Sequence, residues 1–329
     1  MVLGPNIYEQ QRMNKRQTLL VMGGFIFFLA FLGFGFDALY LGSIREDFFL
    51  PIGTTLAVAV GFGSAFWGYQ SGSKAVLASA GAIPASPAAE GHRQLLNVVE
   101  EMSIAAGLPR PAVYVIPDSD PNAFATGKDP ATSSIAVTEG LLGLLNRDEL
   151  QGVVAHEMSH IRNYDVRLMT VVAALMGAVL LLAGFSRRGM YFRGGSGKKR
   201  EGGGAVGGPL ALLLFVLWIL GIVLAPLIAR AMAMTISRRR EYLADASGAE
   251  LTRNPLGLAQ ALRKLDGAVA PTKTIREGHA HLCIVDPLGR RINAKEGAVA
   301  ELFGTHPPIE KRIIALEAMA YRYAPGRPA

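Results

Sequence analysis

Val153-Val154-Ala155-His156-Glu157-Met158-Ser159-His160-Ile161 decides how the rest of this chain is read. It is an H-E-x-x-H pattern in a helical context. Upstream, Asn146 followed three residues later by Glu149 is a capping-box signature, so the helix begins about ten residues before the first histidine. His156 and His160 then stand one turn apart on one face, where both imidazoles can reach a tetrahedral ion at about 2.0–2.1 Å. Glu157 is angled beside the ion and not onto it. A carboxylate there can take a proton from a water that zinc acidifies. Two satisfied histidines on a buried helix would mimic the pattern, and a catalytic zinc needs a third protein ligand.

Downstream, Ser237-Arg238-Arg239-Arg240-Glu241-Tyr242-Leu243-Ala244-Asp245 reads as helix with Glu241 and Asp245 one turn apart on the same face. Such a pair can supply a ligand from the first acid, while the second accepts the remaining N–H of a ligating histidine. An exposed ion-pair face among arginines has the same spacing. The residues alone leave both readings open. Arg238 to Arg240 read as side chains that meet lipid headgroups. Cys283 is the only cysteine, which excludes an internal disulfide and leaves any metal to histidine and carboxylate.

Half of the 329 residues are hydrophobic, unusual for a soluble enzyme. Four apolar stretches account for it. Gln17 to Tyr40, charged only at Asp37, is long enough to cross about 30 Å of hydrocarbon. Leu50 to Tyr69 follows after a short turn, with Trp67 and Tyr69 as interfacial anchors. Leu168 to Phe185 and Val206 to Ile228 form a second pair around a glycine-rich basic linker. That linker conflicts with the positive-inside rule if the first hairpin places the N-terminus in the cytoplasm. Full spanning by the second pair is the expectation, and a re-entrant or surface-lying hairpin is the alternative. The net charge of +7 falls in basic clusters beside these stretches, which points to lipid headgroups and not to nucleic acid.

The resulting division is an N-terminal tail over 1–16, a transmembrane hairpin over 17–70, a first catalytic half over 71–166, the second hydrophobic pair over 167–230, and a second catalytic half over 231–329. Between the first hairpin and the H-E-x-x-H helix, Ala112 to Ile116 and Ser133 to Thr138 read as strands. Pro121-Asn122-Ala123-Phe124-Ala125-Thr126-Gly127 lies between them. Asn122, Ala123 and Phe124 are expected at a cleft edge, where an extended peptide adds to the sheet; Asn122 also fits a plain turn residue. His306 precedes Pro307, Pro308 and a helix reaching about Tyr321 with an apolar face at Ile309, Ile313, Leu316 and Ala320.

In order and content the chain resembles the HtpX membrane proteases of bacteria, relatives of the CAAX prenyl proteases within the gluzincin metallopeptidases. The resemblance is carried by the two N-terminal spans, Gly107-Leu108-Pro109, Val113-Tyr114-Val115, Pro121 to Gly127, H-E-x-x-H, the inserted hydrophobic pair, Arg240 to Asp245, and Thr305-His306-Pro307-Pro308-Ile309-Glu310-Lys311-Arg312. It implies an α+β, mostly helical protease domain with a small sheet and four membrane helices. It implies one Zn2+ per chain with Glu241 as third ligand. His306 then looks like an oxyanion donor or a removable zinc ligand, and Arg312 its companion. Implied substrates are misfolded or damaged membrane proteins, cleaved under stress at the cytoplasmic face of the inner membrane. A catalytically silent peptide-binding relative is the rival function. A transporter is disfavoured because the spans offer no ionisable residue besides Asp37.

Overall fold

The computed structural model of the protein describes residues 7–37, 51–176, 238–268, 281–285 and 307–323. Among them, two helices are long and apolar enough to cross a membrane. α1 is Ile7–Phe36 and α2 is Ile52–Ser79. Both outrun the apolar stretches read from the sequence. α1 starts ten residues earlier and α2 ends ten residues later, because polar turns at those ends pack on the globular part. Their apolar middles face outwards: Leu20, Phe27, Leu56, Phe62 and Trp67 are exposed. Large uncovered apolar surface of this kind is uncommon on a water-soluble protein.

The single acid of the first span has a structural task. Asp37 accepts hydrogen bonds from the Gly53 and Thr54 amides at 2.7 and 2.6 Å and from the Thr54 hydroxyl at 2.7 Å. These are orphan donors at the start of α2, and a carboxylate satisfies them.

Next come β1 (Ile83–Pro84), α3 (Glu90–Ala106), β2 (Ala112–Ile116), β3 (Ala123–Thr126), β4 (Ser134–Thr138), α4 (Glu139–Leu144) and α5 (Arg147–Arg162). Residues 165–176 form α6, followed among the described residues by α7 (Arg238–Thr252), α8 (Pro255–Gly267) and α9 (Ile309–Tyr323). The fold is mostly helical with one small mixed sheet, in the order β1-β2-β4-β3. β2 and β4 are parallel neighbours, Ala112 opposite Ser134, and β3 adds antiparallel to the far side of β4. β3 is thus an edge strand that the sequence showed only as a linking segment.

One core lies between the sheet and α3, α5, α8 and α9, built on Val98, Val115, Ile135, Val154, Met158, Leu262 and Leu316. A second joins the sheet to α6 and the membrane pair through Ile116, Phe124, Leu168, Val172, Leu77 and Phe25. α5 runs through the first core and is buried from Gly152 to Ile161. Of the second expected hydrophobic pair only 168–176 are described; they are helical, and Thr170 and Ala174 pack against Gly72 and Gly68 of α2. The rest of that pair, with its linker, lies outside the described residues.

Candidate metal centre

α5 begins as its capping box requires. Asn146 Oδ1 accepts from the Glu149 amide at 3.0 Å, and Glu149 Oε2 accepts from the Asn146 amide at 2.8 Å. Ten residues later the helix delivers His156, and a turn further on His160, into the protein interior. Their Nε2 atoms are 3.2 Å apart with the rings nearly perpendicular at 88°.

Glu241, in the first turn of α7, closes the set. Its Oε2 is 3.8 Å from His156 Nε2 and its Oε1 is 3.5 Å from His160 Nε2. The three residues are buried and form the metal-competent group of His, Cys, Asp and Glu found among the described residues. Donors bonded at about 2.0–2.1 Å to a tetrahedral ion stand about 3.3 Å from one another. The observed separations bracket that value, so the donor set fits a zinc-sized cation.

α7 reaches α5 this closely because of Gly248, two turns beyond Glu241. A Cβ there would stand 3.0 Å from the His156 backbone nitrogen. Glu241, Asp245 and Gly248 therefore share one face of α7, and all three meet the histidine helix.

Each histidine is held from behind. His156 Nδ1 is 2.9 Å from Asp245 Oδ1. Arg312 of α9 grips that same carboxylate with two bonds of 2.7 and 2.8 Å, donates to the Ile284 carbonyl at 2.9 Å, and comes within 3.7 Å of Glu241. His160 Nδ1 is 3.1 Å from Asp165 Oδ2. A carboxylate on Nδ1 fixes the tautomer that turns the Nε2 lone pair towards the ion. Asp165 was not anticipated from the sequence. It lies five residues past His160 across a turn in which Tyr164 has φ 60°, so no helical periodicity connects the two.

The electrostatics follow from burial. Glu157 is pushed up to about 7, chiefly by desolvation and also by Glu241, against the pull of His160 and of the Ala125 amide. Burial works against a charged His160, yet Asp165 and Glu241 outweigh it and hold the imidazole at about 9 in the ion-free protein. His156 is lowered, by desolvation foremost. Desolvation would raise Asp245, but the Arg312 charge and hydrogen bonds override it and hold the carboxyl below its ordinary value.

One expectation meets a different outcome. Arg240 does not face headgroups: it is buried, bonded to Gln17 of α1, with its Nε 3.7 Å from Asp165 Oδ1. Asn122 is fully buried, donates to the Val285 carbonyl at 2.9 Å and accepts from the Ala123 amide at 3.1 Å. The outer edge of β3 carries residues 281–285: Phe124 bridges Cys283, and the Ile284 amide donates to the Ala123 carbonyl at 2.9 Å. The β3 edge is thus covered here by the chain itself. His92 accepts from the Ser86 amide, and His281 is buried with Nε2 3.2 Å from the Met169 carbonyl. His279 and His306 lie outside the described residues.

Two histidines one turn apart, a glutamate from a distant helix and a buried Glu157 beside them are the constellation of a metallopeptidase. The sequence pattern described as Peptidase family M48 matches residues 89–320, and the chain belongs to that family. It is 42% identical over 313 residues to a "Protease HtpX homolog" of Thermoanaerobacter pseudethanolicus, covering 95% of this chain and 98% of that protein. It is also 42% identical over 315 residues to a protein of the same name from Ligilactobacillus salivarius, covering 95% and 100%. Among solved structures, Ste24p of S. mikatae superposes with a TM-score of 0.48 at 20% identity, over 94% of this chain and 66% of that one. The chain is a metalloprotease similar to HtpX proteins.

Proposed function

We propose that this metalloprotease is a zinc endopeptidase of the membrane, inserted through α1 and α2 with its catalytic half facing the cytoplasm. Its substrates are misfolded or damaged membrane proteins, in a quality-control and stress-response role. The observation that carries the reading is the convergence of His156, His160 and Glu241 as three buried donors at tetrahedral separations. Attachment to the bilayer beside the cleft favours membrane-held polypeptides over soluble ones, and the second hydrophobic pair is proposed to span as well.

His156, His160 and Glu241 would hold the zinc, which when bound polarises a peptide carbonyl and acidifies water. Glu157 supplies the proton traffic. Its carboxylate takes the proton of the attacking water and returns it to the leaving amine, and its burial raises its proton affinity in the direction that second transfer needs. Asp245 and Asp165 keep the two imidazoles aimed, while Arg312 balances the buried acids around them. Asn122, Ala123 and Phe124 are proposed to take substrate backbone when residues 282–284 yield the edge of β3. His306, six residues before Arg312, is proposed as oxyanion donor or removable zinc ligand.

The decisive experiment uses the full-length protein in detergent with a model membrane substrate. Cleavage should stop with a chelator, return with zinc, and be absent in Glu157→Gln, which should still bind one zinc. Proteolysis surviving in Glu157→Gln would refute the assignment. Cysteine accessibility at Ser186 and Ser196, with Cys283 replaced, reads the topology.

A further inference from the structure

We infer that α1 is a working part of the metal centre as well as an anchor: its first turns clamp the turn that carries Asp165, with Asn14 as a positioning residue for His160. The inference rests on the zinc reading above.

Asn14 Nδ2 donates to Asp165 Oδ1 at 2.6 Å and to the Asn163 carbonyl at 2.8 Å. The other oxygen of the same carboxylate is the one at His160 Nδ1. The chain of contacts therefore runs from the anchor helix through one amide and one carboxylate to a metal-binding imidazole. Asn14 is wholly buried and Asp165 nearly so, so their bond is shielded from bulk solvent.

The neighbours of Asn14 grip the same turn. Gln11 Nε2 donates to the Arg162 carbonyl at 2.9 Å. Lys15 Nζ lies 4.3 Å above the Tyr164 ring. Thr18, buried on the same face, donates to the Asn14 carbonyl within α1 itself. Positions 11, 14, 15 and 18 follow the i, i+3, i+4, i+7 rule of a single helix face. Gln17 adds a bond to Arg240, the residue before Glu241. A bare membrane anchor has no use for a polar face that buries Asn14 and Thr18 and half-buries Gln11 against the protein.

The turn needs the clamp. Tyr164 sits at φ 60°, in a region that costs a bulky non-glycine residue free energy and persists only where its surroundings over-determine it. With Asp165 Oδ1 pinned by Asn14, Oδ2 stays on His160 and the imidazole keeps its Nε2 towards the ion. Without the pin the carboxylate gains rotational freedom, and the histidine with it.

The test reads zinc affinity by chelator competition, together with the visible spectrum of the cobalt-substituted protein, on full-length protein in detergent. Asn14→Ala should weaken zinc binding about ten-fold and alter the cobalt bands, and Asp165→Asn should weaken it about ten- to a hundred-fold. In an Asp165→Ala background, which removes the carboxylate altogether, Asn14→Ala should cost no further zinc affinity, because Asn14 reaches His160 through that carboxylate and its other bond, to the Asn163 carbonyl, does not touch the histidine. Phe27→Ala, on the exposed apolar side of α1, should leave affinity unchanged. If Asn14→Ala fails to fold, Gln11→Ala carries the same test with a smaller loss. Wild-type affinity in the variant, or an equal loss in both backgrounds, would overturn the clamp. A wild type that takes up no zinc would instead overturn the site reading beneath it.

Discussion

Asp245 stands one helical turn beyond Glu241 and places its Oδ1 2.9 Å from His156 Nδ1, so one face of α7 supplies both a donor and the support of another donor. The carboxylate can stay ionised in the core because Arg312 binds it at both oxygens. Removing Arg312 would leave an unpaired buried charge, which costs about 3–5 kcal/mol. Arg312→Met should therefore lower the unfolding free energy by that amount, read as an earlier denaturant midpoint at unchanged slope, and weaken zinc binding. Arg312→Lys should recover part of it, since a lysine restores charge but not the two-pronged bond. An unchanged midpoint in Arg312→Met would sink this account.

Acid–base linkage gives the ion-free protein a characteristic pH response. His160 titrates near 6.5 when unfolded and about 9 when folded. A raised pKa contributes stability that is complete below 6.5 and lost as pH climbs through 9. Glu157, raised to about 7, loses stability in the same direction up to that pH. His156, lowered by burial, acts in the opposite sense but only below 6.5. Chelated protein should thus lose melting temperature between pH 6.5 and 9, and Asp165→Asn should flatten the slope. Zinc binding expels the His160 proton, so the gap between zinc-loaded and chelated melting curves should widen with pH. A chelated melting temperature independent of pH over that window contradicts the His160–Asp165 pairing.

What the sequence revealed and what it hid divide by range. The start of α5 and the facing of His156 and His160 are written in contacts three and four residues apart, which a linear pattern can show. β2 was legible for the same reason, as a short β-branched run. Asp165 was not, because Tyr164 breaks the helix and resets the direction of the next residue. Asn14 reaches Asp165 across 151 residues, and nothing local marks it among the polar residues before the first span. Arg240 looks like its neighbouring arginines in sequence and differs only in facing Gln17 and Asp165. Hydropathy also undercut α1 and α2, since their polar end turns are stabilised by the protein and not by lipid.

Close helix approach makes two glycines, Gly152 of α5 and Gly248 of α7, costly to replace in different ways. A Cβ at Gly152 would meet the Leu258 amide nitrogen at 2.7 Å. Backbone cannot swing aside, so overpacking of about 1–3 kcal/mol should exceed the roughly 1 kcal/mol that alanine gains in helix propensity. Gly152→Ala should destabilise the fold. At Gly143 of α4 the added methyl has nothing within 4 Å, and Gly143→Ala should be neutral or mildly stabilising. Gly248→Ala should push α7 off the His156 backbone and carry Glu241 with it, lowering zinc affinity by more than it lowers the melting temperature. Equal thermal shifts for Gly152→Ala and Gly143→Ala would show that the helices have room to part.

Substrate addition at β3, as proposed, would set the chain and its substrate in competition for one edge. Ala123 and Phe124 are paired with residues 283–284, and Asn122 holds the Val285 carbonyl. A peptide can add there only in molecules whose 282–284 strand has come away, and its apparent affinity falls with the fraction so opened. Asn122→Ala removes one tie on that strand and leaves a buried carbonyl unpaired, at about 1–3 kcal/mol. The variant should melt earlier, and its KM for a peptide substrate should fall several-fold while kcat holds, because the open fraction rises. A KM that rises instead would mean that losing the proposed Asn122 contact with substrate backbone outweighs the gain in open fraction. An unchanged KM beside the lower melting temperature would mean that 281–285 stay in place during turnover and that peptides bind elsewhere along the cleft.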